Sequence, residues 1–464
     1  MPTDTKIPPK RAIVVAVQLP GVSDVEFEAS LSELRELSKT LGFTVVSTLI
    51  QKRSNFDASA YLGTGKRDEL KSLVQSESTD EAGDETKDLI VVLVDHEISP
   101  SQARNLENEI GCSVLDRTMV ILEIFHRHAR SNAARAQVEI ARLRYLAPRL
   151  REAAKLAGPQ GRQRSGVGGR GAGEGAGEAD RAKIRDRIAE LKREITALDL
   201  ERQTQRARRQ ESQGVARVAL IGYTNAGKST LMQALTGNEV LIADKLFATL
   251  DTTVRALVPE GVPRVLVSDT VGFIKNLPHD LVASFKSTLE EAAEASLLLH
   301  VIDASDPGFE RQIEVTDTVI EEIEAGKVPR LHVFNKIDQV GDAKAQAART
   351  KALRAQFPEC LVLSAVRPAD VAKLQKSIRA FFSKRLVKAE LFLPWSAQQL
   401  RGEIFSLCEV LEERAEEKGA FFSVRGEPSG IRSLQEKMAL LQAGRPASES
   451  HLKPVKTAHH PHED

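Results

Sequence analysis

Residues 215–230 read Val-Ala-Arg-Val-Ala-Leu-Ile-Gly-Tyr-Thr-Asn-Ala-Gly-Lys-Ser-Thr and decide the fold of the middle of the chain. The first seven are apolar except for one arginine, which predicts a buried strand. Residues 222–229 fit the pattern G-x-x-x-x-G-K-[ST], and a helix is expected to follow them. A strand, a glycine-rich turn and a helix in this order predict a phosphate-binding loop. A glycine-rich turn without a ligand is the alternative that this motif leaves open.

Each part of the predicted loop has a chemical task. Glycines allow backbone N–H groups to turn inward onto phosphate oxygens, and the helix N-terminus adds a positive dipole. We expect Lys228 to neutralise the β- and γ-phosphates and Ser229 to ligate Mg²⁺. The loop residues expected to contact the nucleotide are Gly222, Tyr223, Thr224, Asn225, Ala226, Gly227, Lys228 and Ser229.

Three further motifs follow apolar strands. Asp269-Thr-Val-Gly272 begins 41 residues after Lys228; Asp269 is expected to hold Mg²⁺ through water and the Gly272 amide to meet the γ-phosphate. In Asn335-Lys-Ile-Asp338 a carboxylate can accept both N1–H and the exocyclic amine of guanine, which adenine cannot match. Ser364-Ala365 suits a backbone contact to guanine O6. Because the carboxyl ends of parallel strands share one edge of the sheet, the motifs predict a guanine-nucleotide site. Its further expected members are Thr270, Val271, Lys336, Ile337 and Val366.

Composition excludes several classes of protein. The chain has 464 residues, zero net charge and 28% charged residues, which suggests two to four domains and excludes a wholly basic nucleic-acid protein. Cys112, Cys360 and Cys408 form neither a zinc spacing nor a disulfide framework, as suits a reducing compartment. No apolar run approaches the roughly 18–20 residues of a membrane span, and the N-terminus lacks a signal-peptide core. We expect a cytoplasmic protein with no DNA partner and no stable membrane insertion.

The expected fold class is α/β, with several domains. Apolar runs at 12–19, 43–50 and 89–95 enclose a helical pattern that begins with a predicted capping box at Ser23 and Glu26, which is typical of a parallel sheet. Alternating strands and helices recur through the nucleotide motifs, and a small α+β unit follows. The expected divisions are an N-terminal tail at 1–10, an N-terminal parallel α/β domain at 11–125, a basic helical hairpin at 126–213, a P-loop GTPase domain at 214–387, a small C-terminal α+β domain at 388–441 and a disordered tail at 442–464.

The segment 126–213 differs in composition from the rest of the chain. It holds 21 Lys or Arg against 11 Asp or Glu, although the whole chain is neutral. Apolar residues from Ile184 to Leu198 repeat with heptad spacing, which predicts a helix packed on a second, Ala- and Arg-rich helix at 132–156. Nine glycines in residues 158–177 predict a flexible loop between them. Both a solvated spacer and a nucleic-acid contact fit this composition.

Together with the phosphate loop, Phe247-Ala-Thr-Leu-Asp251 and Asp269-Thr-Val-Gly-Phe273 resemble the HflX family of translation-factor-class GTPases. Tyr61-Leu-Gly-Thr-Gly-Lys66, Ser99-Pro-Ser-Gln-Ala-Arg-Asn-Leu106 and Leu115-Asp-Arg-Thr118 extend the resemblance to roughly 11–430. It implies a GTPase that binds the large ribosomal subunit and its rRNA and splits stalled or idle ribosomes. It also implies that Thr249 completes the Mg²⁺ shell in the GTP state; capping of a turn is the simpler alternative. Phe247, Ala248, Thr249, Leu250 and Asp251 are the site residues added by this resemblance.

The sequence departs from the family pattern in two places. Asp251-Thr252 replaces the usual Asp-Pro-Thr, which leaves the segment less constrained. In the linker, Gly171-Ala-Gly-Glu174 lacks the usual proline, and the polar stretch that normally follows is replaced. These changes bear on how the linker couples to RNA or to the GTPase domain.

Slow intrinsic hydrolysis is expected from the motifs. Phe273 stands where many GTPases carry a glutamine that orients water, and an apolar ring cannot do so. A partner or an ion is expected to supply the missing help. Asn225 is a candidate for holding K⁺ beside the phosphates, or it simply stabilises the loop. A monomeric ribosome-dissociating GTPase is the main prediction. A nucleotide-gated RNA-binding module in rRNA or large-subunit assembly is the alternative, and a regulator that docks a protein client is a third.

Overall fold

The computed structural model describes residues 10–77, 90–156, 182–198, 216–237, 246–247, 253–275 and 291–442. Three separate β-sheets organise these residues. The fold class is α/β, as the sequence predicts. The divisions between the domains stay a prediction, and the glycine-rich loop at 158–177 and the tail at 443–464 lie outside the described residues.

The N-terminal sheet is fully parallel, with strand order β2-β1-β3-β4. Its central strands are buried on both faces because helices cover both sides, so they consist almost wholly of Ala, Ile, Leu and Val. The elements are β1 (Arg11–Gln18), α1 (Asp24–Thr40), β2 (Thr44–Lys52), α2 (Thr64–Glu77), β3 (Ile90–Val94), α3 (Pro100–Ile110), β4 (Ser113–Asp116) and α4 (Arg117–His128).

Only one of the two hydrogen bonds of the predicted capping box forms at the start of α1, so the prediction is wrong for the other. The Ser23 hydroxyl accepts the Glu26 N–H at 3.2 Å, as an N-cap should. The Glu26 carboxylate, however, pairs with Lys275 and Arg311 of the nucleotide-binding region. Two cations thus bind the carboxylate that would otherwise accept the backbone N–H of Ser23. A complete capping box occurs at the start of α3, between Ser99 and Gln102.

The middle of the predicted heptad seam, Ile188 to Ile195, packs on a second helix, whereas Ile184 and Leu198 are not part of this cluster. Helix α5 (Asn132–Leu156) and helix α6, described over 182–198, share a small apolar cluster. Its members are Ala136, Ile140, Leu143, Ile188, Leu191 and Ile195. Spacings of three and four residues place these side chains on one face of each helix, which explains the contact.

The middle sheet has the order β10-β9-β8-β5-β7-β6, and only β6 runs antiparallel within it. The sequence did not predict β6. The elements are β5 (Ala216–Ile221), α7 (Lys228–Thr236), β6 (Thr253–Ala256), β7 (Val265–Asp269), β8 (Leu297–Asp303), α8 (Phe309–Glu322), β9 (Arg330–Asn335), α9 (Ala343–Gln356), β10 (Leu361–Val362) and α10 (Pro368–Ser383). Helix α7 begins at Lys228, directly after the glycine-rich loop, so its N-terminus faces that loop.

The C-terminal unit is an antiparallel sheet of order β11-β13-β12 that packs on helices through its own apolar core. Its elements are β11 (Val387–Pro394), a 3₁₀ turn at Trp395–Leu400, α11 (Arg401–Leu407), β12 (Cys408–Glu416), β13 (Gly419–Gly426) and α12 (Pro428–Gln442). Within the described residues, no helix combines the length and the apolar character needed to cross a membrane.

One apolar core continues from the N-terminal sheet into the middle unit. It combines residues of β1, α1 and α4 with residues of the nucleotide motifs and of β8, and it includes Tyr223, Phe247 and Phe273. The ring of Phe247 lies 4.5 Å from that of Phe125 on α4, centroid to centroid. The nucleotide motifs are therefore packed directly against the N-terminal domain.

Candidate functional site

The glycine-rich loop joins β5 to α7 and needs its glycines for two close approaches. Gly222 has φ +141°, and a Cβ there would lie 2.1 Å from the backbone oxygen of Val301. Gly227 has φ +91°, and a Cβ there would lie 2.3 Å from the Asn335 amide nitrogen. Side chains at either position would therefore collide with β8 or with the end of β9. The loop backbone is held tightly against both strands, with the start of α7 behind it.

Lys228 is buried beneath the loop. Its ammonium donates to the backbone oxygens of Gly222 at 3.0 Å and of Tyr223 at 2.7 Å, so the amine is aimed across the loop. Burial lowers the pKa of Lys228 to about 8, although the carboxylate of Asp269 opposes this shift. A desolvated cation at the first residue of a helix is suited to an anionic phosphate.

Ser229 and Asp269 come together as the motifs predict. The Ser229 hydroxyl donates to a carboxylate oxygen of Asp269 at 2.8 Å, and Asp269 is almost fully buried. A hydroxyl and a carboxylate are hard oxygen ligands of the kind that Mg²⁺ accepts, directly or through water. The donor set therefore fits Mg²⁺.

The segment after Asp269 is docked on the phosphate loop. The Thr224 N–H donates to the Phe273 oxygen at 2.7 Å, and the Phe273 N–H donates to the Gly222 oxygen at 3.1 Å. A Cβ on Gly272 would lie 2.9 Å from Cγ2 and 3.0 Å from Cα of Thr224, so only glycine fits there without displacement. The Phe273 ring is buried in the core shared with the N-terminal domain. An apolar ring in that core has no means of hydrogen-bonding an attacking water, as the sequence analysis expected.

The predicted base-binding motifs meet at Asn335. Its amide nitrogen donates to the Ala226 oxygen at 3.0 Å, and its side-chain oxygen accepts the Ala365 N–H at 2.9 Å. Asn335 thus ties the phosphate loop to the loop of Ser364 and Ala365, where Val366 is largely exposed. Asp338 lies in the 3₁₀ turn that follows β9. The carboxyl ends of β5, β9 and β10 therefore lie close together, as expected for parallel strands of one sheet.

Lys336 pairs with a partner that the sequence analysis did not identify. Its amine lies 2.8 Å from a carboxylate oxygen of Asp303 at the end of β8, and it donates to Asn225 at 3.4 Å. The ion pair holds the aliphatic stem of Lys336 beside the loop, and Asn225 already has a side-chain contact without any ion.

Some predicted site residues cannot be placed. Ala248, Thr249, Leu250 and Asp251 lie outside the described residues. Phe247 is buried, and its backbone oxygen lies 2.9 Å from Nδ1 of His128 on α4. The remaining site residues lie in the phosphate loop, at the ends of β7 and β9, or in the segments that follow β7, β9 and β10. That they contact GTP stays a prediction.

Sequence reasoning missed the N-terminal residues that reach the site. The Tyr223 hydroxyl accepts the Lys275 N–H at 2.7 Å and lies beside the carboxylate of Glu33 on α1. Glu33 in turn pairs with Arg117, which also holds Asp95 at 2.7 Å. The motif Leu115-Asp-Arg-Thr118 contains Arg117 and was the only signal available.

Comparison with known proteins places the chain among GTP-binding proteins. Family models match residues 28–126 (GTP-binding GTPase N-terminal), 128–209 (GTP-binding GTPase Middle Region) and 217–336 (50S ribosome-binding GTPase). The chain is 49% identical to GTPase HflX of Gluconacetobacter diazotrophicus over 94% of this chain and 99% of that protein. It is 37% identical to GTPase HflX of Escherichia coli K12 over 89% of this chain and 92% of that protein.

The solved structures that match this chain are less similar to it in sequence than these relatives are. A GTP-binding protein of Sulfolobus solfataricus in complex with GDP matches 81% of this chain and 99% of its own, with 23% identity and a TM-score of 0.42. Era in complex with MgGDPNP and a 16S rRNA fragment matches 44% of this chain and 74% of its own, with 24% identity and a TM-score of 0.31. Such low scores carry no argument. The family models and the sequence identity to relatives that match over nearly their whole length show that this chain is a GTPase that belongs to the HflX family.

Proposed function

We propose that this GTPase binds the large ribosomal subunit in its GTP state and splits stalled or idle ribosomes in the cytoplasm, acting as a monomer. The observation that carries the proposal is family membership along nearly the whole chain, including a region matched by a 50S ribosome-binding GTPase model. Hydrolysis to GDP and phosphate would then release the protein from the subunit.

In this proposal the nucleotide site works mainly as a switch. Lys228 binds the β- and γ-phosphates, Ser229 and Asp269 hold Mg²⁺, and Asp338 reads guanine. Mg²⁺ would supply charge neutralisation between the two terminal phosphates. Thr249 and the Gly272 amide are the groups proposed to respond to the γ-phosphate. Since Phe273 is buried in the core, hydrolysis depends on help from the ribosome or from an ion such as K⁺.

The basic linker is the part proposed to contact rRNA. Helix α6 packs on α5 through a narrow apolar seam and is otherwise largely exposed, and residues 126–213 are rich in arginine and lysine. Arg162, Arg164 and Arg170 lie in the glycine-rich stretch between them, and Arg can bind phosphate in a bidentate manner and stack on bases.

The test replaces residues 158–177 by a short neutral linker and follows ribosome dissociation by light scattering. GTP affinity should stay unchanged, because no nucleotide motif lies there. Affinity for the large subunit should fall, and its salt dependence should flatten by about one unit of slope per lost phosphate contact. Splitting should fall further than binding. A variant that splits ribosomes as well as the intact chain would remove the linker from the mechanism, and GTP-dependent binding without any splitting would favour a role in rRNA or subunit assembly.

A further inference from the structure

The phenol of Tyr223 lies at a three-way junction. Tyr223 belongs to the phosphate loop, directly after Gly222. Its hydroxyl accepts the backbone N–H of Lys275, three residues beyond Gly272, at 2.7 Å. The same hydroxyl lies beside the carboxylate of Glu33 on α1 of the N-terminal domain. One buried hydroxyl therefore joins the phosphate loop, the segment that carries Gly272 and the N-terminal domain.

Glu33 is fixed from behind by a buried charge cluster. Arg117 is 1% exposed, pairs with Glu33 and holds Asp95 at 2.7 Å, while Ser30 donates to the other oxygen of Asp95 at 2.8 Å. Burial raises the pKa of the Glu33 carboxyl even though Arg117 opposes the shift. Buried ionic groups with several partners keep one geometry, because moving any member leaves a charge without compensation. Glu33 is consequently a stiff support for the Tyr223 phenol.

The cluster continues into the linker through the residue before Arg117. The Asp116 carboxylate accepts from Arg149 on α5 at 2.7 Å and from the hydroxyl of Tyr145. Asp116 also caps α4, accepting the Met119 N–H at 2.9 Å. Adjacent residues on one short segment thus face the nucleotide site on one side and the basic linker helix on the other.

A second contact supports the same segment. The amine of Lys275 lies 3.2 Å from the Glu26 carboxylate on α1. Lys275 is therefore held at its backbone by Tyr223 and at its side chain by Glu26. Any movement of the Gly272 segment in response to a γ-phosphate must change contacts to α1.

We propose that Tyr223 is a positioning residue for Gly272, and that the Tyr223–Glu33–Arg117 chain passes the presence of the γ-phosphate to the N-terminal domain and, through Asp116, to helix α5. The inference rests on the proposed GTP site but not on ribosome splitting. The hydrogen bond of a positioning residue differs from a merely structural hydrogen bond in one respect. A structural bond supports the fold whichever nucleotide is bound, whereas loss of a positioning bond weakens the binding of GTP more than the binding of GDP.

The experiment measures the affinity of the full chain for a fluorescent GDP and for a non-hydrolysable GTP analogue. In Tyr223→Phe the analogue should bind about five- to tenfold more weakly, the effect of one net hydrogen bond. GDP affinity should fall less than the affinity for the analogue, so that the preference for the analogue over GDP is reduced. Glu33→Ala should reproduce this change, and the double variant should lose no more than either single one, because both act in one chain. Glu33→Gln should retain most of the preference, since it keeps a polar side chain of the same size beside the phenol.

Tyr61→Phe is the matched control. The Tyr61 hydroxyl is also buried, accepts a backbone N–H (Val17, 2.9 Å) and contacts a second side chain (His96, 2.9 Å), but it lies in the N-terminal domain and is distant from the nucleotide motifs in sequence. It should lower thermal stability without changing the preference between the two nucleotides.

Hydrogen exchange provides the second readout. The GTP analogue should slow or speed amide exchange in residues 117–149 of the wild type, and Tyr223→Phe should abolish that difference while Tyr61→Phe keeps it. Any one of three results would overturn the inference. The first is an unchanged GTP-to-GDP preference in Tyr223→Phe, and the second is additive losses in the double variant. The third is a wild type in which amide exchange of residues 117–149 is the same with GDP and with the GTP analogue. A wild type that binds both nucleotides but splits no ribosomes would refute the proposed function alone.

Discussion

The titration of Lys228 predicts how nucleotide affinity depends on pH. Its amine is buried under the phosphate loop, and burial lowers its pKa to about 8 in the nucleotide-free chain. The phosphates need the charged amine, so binding above this pH must be accompanied by the uptake of a proton. Affinity should therefore fall as the pH rises through 8, and the loss grows with the fraction of neutral amine.

The size of the effect follows from that pKa. The charged fraction of Lys228 is about nine-tenths at pH 7, one half at pH 8 and roughly one-tenth at pH 9. Linkage therefore predicts that GTP and GDP bind about tenfold more weakly at pH 9 than at pH 7, or roughly 1.4 kcal/mol. The assay is a fluorescence titration with labelled GDP at constant ionic strength.

The reference for this titration is Lys228→Met, measured at higher protein concentration. Guanine itself loses a proton at high pH, but both proteins experience that loss, so the difference between them isolates the amine. We expect the variant to bind weakly and with a flatter pH profile. If the wild type showed equal affinity at pH 7 and pH 9, Lys228 would remain charged in its buried position and the electrostatic account of the loop would be wrong.

Three further predictions concern the base, the ion and the sheet. Asp338→Asn should weaken GTP binding by roughly 2–4 kcal/mol and shift preference toward xanthosine nucleotides, whose oxygen can accept from the amide; undiminished GTP affinity would overturn the guanine assignment. Hydrolysis should be faster in K⁺ than in Na⁺ at equal ionic strength, and Asn225→Ala should remove the difference; equal rates in the two salts for the wild type would exclude the ion site. His300 is buried on β8 beside His332 on β9, and burial, with a smaller effect from His332, lowers its pKa well below 6.5. Because the unfolded chain then takes up a proton that the folded chain resists, the free energy of unfolding in urea should fall below about pH 6.5 by up to roughly 1.4 kcal/mol per pH unit, and His300→Asn should lessen that slope.

The nucleotide motifs could be placed from sequence because local chemistry dictates them. Strands of β-branched residues end at polar motifs, and parallel topology brings those ends to one edge. The structure accordingly brings Ser229 to Asp269 and Asn335 to both Ala226 and Ala365. The spacing of apolar residues likewise predicts the seam between α5 and α6.

Contacts between domains could not be predicted in this way. Glu26 has the right spacing for a capping box, but Lys275 and Arg311, about 250 and 285 residues away in sequence, take its carboxylate. Glu33 occupies an ordinary helical position, and only the folded chain shows that it meets Tyr223. Periodicity reports which face of a helix is buried and not which distant side chain covers it.

The central claim is that the ribosome is the partner that completes this GTPase. The most direct test is the rate of GTP hydrolysis by the full chain, measured at saturating GTP with and without purified large ribosomal subunits. We predict slow intrinsic hydrolysis, since Phe273 is buried and cannot orient water, and a large increase when large subunits are added. A rate that is the same with and without large subunits would contradict the account.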